Sequence, residues 1–101
     1  MTDTYRECTE KVIEMNERMI ASSTEDIKMC NEELAKQRKK DREFVEWIWS
    51  SGVVTEWEMN YYNKDYKSED TKRILKRRAF EYRFRKSLEN YNKHFRKSLA
   101  E

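Results

Sequence analysis

The sequence predicts a mainly α fold, a helical hairpin or small bundle with a long basic C-terminal helix. Three observations lead there. The 101 residues contain no proline and one glycine, where average usage of about 5% and 7% would supply roughly five and seven. The residues that punctuate turn-rich β sandwiches and barrels are therefore missing. Charged residues make up 42% of the chain, and Glu, Lys and Arg lose little rotamer freedom in a helix. Apolar residues recur at steps of three and four, the repeat of one helix face.

The length suits a single domain over residues 1–101. Its apolar supply is thin, because Leu, Ile, Val and Phe together number 17, below the roughly 20% that accompanies disorder. Against disorder stand a net charge of only +2 and thirteen aromatic residues, each worth on the order of 150–250 Å² of buriable surface. The balance describes a folded, lightly cored chain, of the kind that completes its core by self-association or against a partner.

Taken in order, the first element is a helix over 4–21. Thr4 and Glu7 have the spacing of a capping box, and Tyr5, Cys8, Val12, Met15 and Met19 form one apolar stripe. Ser22 with Glu25 and Ser23 with Asp26 repeat the capping signature, which predicts a turn near 21–24. A second helix, over 24–42 or to 50, carries Ile27, Cys30 and Leu34, shifted by one residue from the first stripe in heptad count. Lys36–Glu43 is almost wholly charged, as a solvated helix face or a connector would be.

Residues 44–62 admit two readings. One is a helix pair broken at Ser50-Ser51-Gly52, the second helix opening with Thr55 capping Glu58. The other is a β-hairpin at about 44–61, giving an α+β fold, in which Val45, Trp47 and Trp49 alternate on one strand and Val53, Thr55 and Trp57 on the next. Ser68, followed by Glu69 and Asp70, starts a final long helix over 69–99, since acids sit well at the positive end of a helix dipole. Its expected buried stripe is Phe84, Leu88, Tyr91, Phe95 and Leu99, joined by Phe80 and Ile74. Leu75, Ala79 and Tyr82 form a second patch. Arg73 and Arg77 fall inside the apolar arc, where they either snorkel to solvent or pair with acids.

Charge divides along the chain. Residues 1–70 hold 11 Lys/Arg and 17 Asp/Glu, whereas residues 71–101 hold 11 and 3. The basic helix can pack beside the acidic first helix, meet an acidic protein surface, or lie on nucleic-acid phosphates. The cations for either external partner are Lys72, Lys76, Arg78, Arg83, Arg85, Lys86, Lys93, Arg96 and Lys97, on the wheel arc opposite Phe84 and Phe95. Seven of the thirteen aromatics fall between Phe44 and Tyr66. Either these rings substitute for a scarce aliphatic core, or some stay exposed as protein-binding anchors, with Trp47, Trp49, Trp57, Tyr61 and Tyr62 the candidates.

Catalytic patterns are missing. The sole histidine, His94, has no CxxC, HxxxH or acidic cluster beside it to build a metal site with Cys8 and Cys30. One glycine rules out a glycine-rich phosphate loop. Glu32–Glu33 and Glu56/Glu58 do not converge on one substrate, so neither catalytic nor metal residues nor any cofactor is expected. Two cysteines are too few for a disulfide scaffold, and their offset from the expected hairpin turn argues against a bridge between them. No apolar run approaches membrane-spanning length. The expectation is a cytoplasmic, non-enzymatic interaction protein (an inhibitor, adaptor or mediator) whose partner is another protein, with no membrane partner and with homo-oligomers compatible. The alternative is a nucleic-acid-binding accessory protein. Size, charge density, aromatic content and lack of proline are compatible with the small phage accessory proteins that bind host machinery, a resemblance of composition alone.

Overall fold

The computed structural model describes residues 3–52, 55–63 and 65–101. Three helices follow in order: α1 (Asp3–Ser51), α2 (Glu56–Tyr61) and α3 (Glu69–Ala100). The mainly α class holds, and the described residues include no strand. Two compact units are present, one of Met1–Met29 with Arg78–Glu101 and the other of Cys30–Arg77.

The expected turn near 21–24 does not form, because α1 runs through it without interruption. Ser23 and Thr24 serve other ends. Ser23 is buried, and its hydroxyl is placed against the main-chain oxygen of Glu81 at 3.1 Å and Glu81 Oε2 at 2.7 Å. Thr24 bonds back to the carbonyl of Ile20 at 2.8 Å, as a hydroxyl inside a helix does. Thr4 likewise lies within α1 and does not cap it.

The face that α1 hides differs from the expected stripe. Thr9, Ile13, Asn16, Ser23, Ile27, Cys30, Leu34, Asp41 and Ile48 are buried, with Ile20 and Gln37 half-buried. Their spacing alternates four and three from Thr9 to Asp41, with Ile48 one heptad further on, which is one heptad seam. Isoleucine or leucine fills one position of most heptads, and Thr9, Asn16, Ser23, Cys30 and Gln37 fill the other. Tyr5, Cys8 and Met15 lie outside this seam and are exposed, while Val12 and Met19 border it half-buried. The apparent one-residue shift between stripes arose from reading apolar residues alone.

In the first unit α1 and α3 are antiparallel. Asn16 donates to Asn92 Oδ1 at 2.9 Å, and Asn92 Nδ2 donates to the Ile13 carbonyl at 3.1 Å, both in buried surroundings. Arg96 pairs with Glu17 across the helices. Arg6 donates to the Leu99 carbonyl at 3.3 Å, placing a cation at the negative end of α3. Leu88 is buried and Phe95 and Leu99 half-buried as expected, but Phe80, Tyr82, Phe84 and Tyr91 are exposed.

The second unit joins the end of α1 to α2 and the start of α3. Residues 44–51 continue α1, so the hairpin reading of this stretch fails. Gly52, at φ 68°, uses the left-handed conformation to end a helix. Ser50 and Ser51 hydroxyls donate to the carbonyls of Trp47 and Ile48, occupying acceptors that the helix end leaves open. Val53 and Val54 lie outside the described residues. Thr55 caps α2 as expected, accepting from the Glu58 amide at 3.2 Å while its hydroxyl meets Glu58 Oε1. Ser68 caps α3 by accepting from the Thr71 amide at 3.2 Å.

Asp41 anchors that start. Its Oδ2 accepts from the Thr71 hydroxyl at 2.7 Å and from the Ser68 amide at 3.2 Å. The pairing resolves what a carboxylate does on the buried face of α1, since a buried charge is tolerable only when hydrogen-bonded. Arg73, placed by sequence inside an apolar arc, instead pairs with Asp70 at 2.8 Å on a wet surface. Arg77 is exposed. Neither incurs a burial cost.

Candidate protein-binding site

Every aromatic residue from Phe44 to Tyr66 belongs to the second unit. Trp47 and Trp49 come from the last turns of α1, Trp57 and Tyr61 from α2, and Tyr62 follows directly. Trp57 and Tyr61, one helical turn apart, stack at 5.5 Å with an interplanar angle of 13°. Tyr61 meets Tyr62 edge-on at 5.0 Å, and Tyr62 meets Phe44 edge-on at 5.3 Å. Phe44 continues the series to Trp47 at 6.4 Å. Tyr66 closes it from the side, 5.2 Å from Tyr62 and 5.7 Å from Phe44.

These are the separations and tilts that ring quadrupoles favour, each contact contributing about 0.5–1.5 kcal/mol beyond area burial. Trp49 is fixed by another means: its indole N–H donates to the Tyr62 carbonyl at 2.8 Å. That bond ties the end of α1 to the residue after α2. The rings touch one another by stacking and by edge contacts, yet much of their surface remains wet. Trp57 is 71% exposed, Trp47 63%, Tyr61 56% and Trp49 51%; only Tyr62 and Tyr66 are half-buried. The structure therefore brings all five anchor candidates into one neighbourhood, and adds Phe44 and Tyr66.

A cavity of about 460 Å³ in the same unit is lined by Arg38, Asp41, Val45, Tyr66 and Thr71 among others. Burial, and then the nearby Tyr62 and Asp41, hold the Tyr66 hydroxyl above its ordinary value near 10, with Lys72 acting in the opposite direction. The lining holds neither histidine nor cysteine. Among the described residues no group of three His, Cys, Asp or Glu side chains is placed to share a metal ion. None of the helices, over the described residues, is long and apolar enough to cross a membrane.

The nine candidate cations do not share one free face. In the first unit Arg83, Lys86, Lys93 and Lys97 are exposed. Arg96 is engaged by Glu17. Half-buried Arg85 reaches Thr24 at 3.4 Å, Glu89 at 3.6 Å and the Tyr82 ring at 5.4 Å. Arg78 is also half-buried. In the second unit Lys72 pairs with Glu69 at 3.3 Å, and Lys76 is exposed.

Two features of the molecule escaped the sequence reading. The polar seam residues Thr9, Asn16, Ser23 and Asn92 were hidden because hydroxyls and amides do not register in an apolar count. Continuing the four-three spacing of Ile13, Ile20, Ile27, Cys30 and Leu34 through the polar positions of α1 is the signal that would have found those on that helix. The second feature follows from the first, since Phe80, Phe84 and Tyr91 face outward once the seam takes its true position. Comparison with family models, with curated proteins and with solved structures finds no match to this chain.

Proposed function

We propose that the chain is a non-enzymatic binding module, an inhibitor, adaptor or mediator, that receives another protein on the ring cluster of the second unit. One observation carries this reading: Trp47 and Trp57 belong to a continuous series of rings yet stay 63% and 71% exposed. Trp and Tyr are the residues that dominate protein–protein binding energy when a partner desolvates them. Exposed apolar patches of this kind mark interaction sites on soluble proteins.

The charges around the cluster favour a protein over a polyanion. Glu43, Glu46 and Glu56 are exposed near the same rings in sequence and Glu58 is half-exposed, and carboxylates repel phosphates. A cytoplasmic setting suits a chain with only two cysteines, the host cytoplasm in the case of a phage-encoded chain. The second reading, a nucleic-acid accessory protein, rests on exposed Arg83, Lys86, Lys93 and Lys97 of α3.

Immobilised wild-type chain and the Trp47→Ala/Trp57→Ala variant, passed over the same lysate and analysed by mass spectrometry, test the proposal. A partner retained by the first and lost by the second, with unchanged far-UV circular dichroism, supports it. Equal retention by both sinks it. A nucleic-acid column at low salt decides the second reading, because phosphate contacts release counterions and weaken steeply as salt rises.

A further inference from the structure

The first unit carries an apolar face that its own packing does not use. Its two helices meet along a seam, and on one edge Glu17 and Thr24 of α1 meet Arg96 and Arg85 of α3. On the opposite edge the residues that precede seam positions are Val12 and Met19 on α1 and Phe84 and Tyr91 on α3. In an antiparallel pair those positions border one groove. Met15 and Phe80 widen it, 53% and 57% exposed; Tyr91 is 58% and Phe84 37% exposed. Phe80 stacks on Phe84 at 6.1 Å, and Tyr91 on half-buried Phe95 at 6.4 Å. From Phe80 to Tyr91 the floor extends about 16 Å along α3 at 1.5 Å per residue, three turns of a docked helix.

The charge around this floor selects the occupant. Lys11 and Arg18 flank it on α1, and Arg83 and Lys97 flank it on α3, all exposed. Arg18 also pairs with Glu14 at 2.9 Å. Acids are confined to one end, at Glu25 and half-buried Asp26. A second copy of the chain would bring the same excess of cations to the interface, and like charges there cost affinity. A helix with an apolar stripe and flanking carboxylates matches both floor and rim.

We propose that this groove docks an acidic amphipathic helix of a partner protein, independently of the ring cluster in the second unit. Helix-in-groove recognition reads anchors at i, i+3, i+4 and i+7, and one further turn of that stripe, to i+11, matches the length of floor from Phe80 to Tyr91. The full chain is titrated against two fluorescent helical peptides of about five turns, both with leucine at that spacing. One carries glutamate and the other lysine at the remaining positions.

The glutamate peptide is expected to bind at least about tenfold more tightly, its affinity falling with salt. Tyr91→Ala weakens it at least about tenfold without changing the circular dichroism, and Arg83→Glu/Lys97→Glu reverses the preference towards the lysine peptide. Equal affinity for both peptides, or none for the glutamate peptide, overturns the proposal. So does a dimer in sedimentation equilibrium that Tyr91→Ala dissolves, since the groove is then covered by a second copy.

Discussion

Asn16 and Asn92 occupy positions that a richer helix pair would give to leucine; Asn16 donates to Asn92 Oδ1, and Asn92 in turn donates to the Ile13 carbonyl inside the first unit. Such a pair adds little net stability but fixes which residues face each other, because any slip leaves a buried amide without a partner. Asn16→Ala is expected to lower unfolding free energy by about 1–3 kcal/mol, the cost of leaving buried Asn92 Oδ1 unmade. Replacing both with leucine is expected to be near neutral or stabilising. A double-mutant cycle by chemical denaturation reads the difference, and additive losses would refute the bond from Asn16 to Asn92.

At the same scale, Tyr66 gives a pH signature. Its hydroxyl holds its proton more tightly in the folded chain than in the unfolded one, so the native state binds more protons once pH passes 10. Its contribution to stability is full below that value and is lost as pH rises through the raised pKa. Thermal unfolding followed above pH 10 is expected to show a steeper alkaline fall in the parent than in Tyr66→Phe.

At the scale of the element, α1 is defined by its continuity through Ala21–Thr24. Side chains there mimic a helix start, and capping preference is worth only about 1 kcal/mol. The uninterrupted seam of Ile13, Ile20, Ile27 and Leu34 outweighs it, as burying each such side chain contributes about 1.5–3 kcal/mol. Ser22 is exposed, so Ser22→Pro tests the backbone alone. A continuous helix loses about 3 kcal/mol or more through the missing N–H and the ring clash, visible as reduced ellipticity and a lower Tm. An unchanged Tm would mean that the chain breaks there after all, since proline is accepted at a helix start.

The final helix was legible before the structure. Ser68, Glu69 and Asp70 mark its start, and it runs to Ala100, one residue beyond the expected end. The cap at Thr55 was legible too. Which face α3 hides was not. Seam positions 78, 81, 85 and 92 hold Arg, Glu, Arg and Asn, so an apolar count rotates the inferred stripe onto Phe80, Phe84 and Tyr91. Gly52 fitted both a hairpin loop and a helix terminus, since both ask for a left-handed residue; packing at Ile48 and Val45 favoured the helix.

For the whole molecule, only Ile13, Ile27, Cys30, Leu34, Ile48 and Leu88 are buried apolar residues among those described. Helices this long depend on packing and on polar pairs more than on intrinsic preference. The acidic start of α1 and the basic end of α3 meet in the first unit, where Glu17 engages Arg96; one exposed pair adds about 0–1 kcal/mol and mainly sets orientation. Against so small a core, the aromatic residues carry most of the remaining apolar surface, and they carry it outside. The five anchor candidates were legible as a cluster because they crowd one stretch of sequence; their exposure was not, because a ring's composition says nothing of which face is wet.

Chemical unfolding of Trp47→Ala/Trp57→Ala beside the parent tests most directly whether these rings serve a partner or the core. Rings that lie on the surface predict a loss of no more than about 1–2 kcal/mol, from the ring–ring contacts alone. A loss of about 3–5 kcal/mol per ring, the cost of emptying a core site, would show that the indoles hold the fold together and would contradict the account.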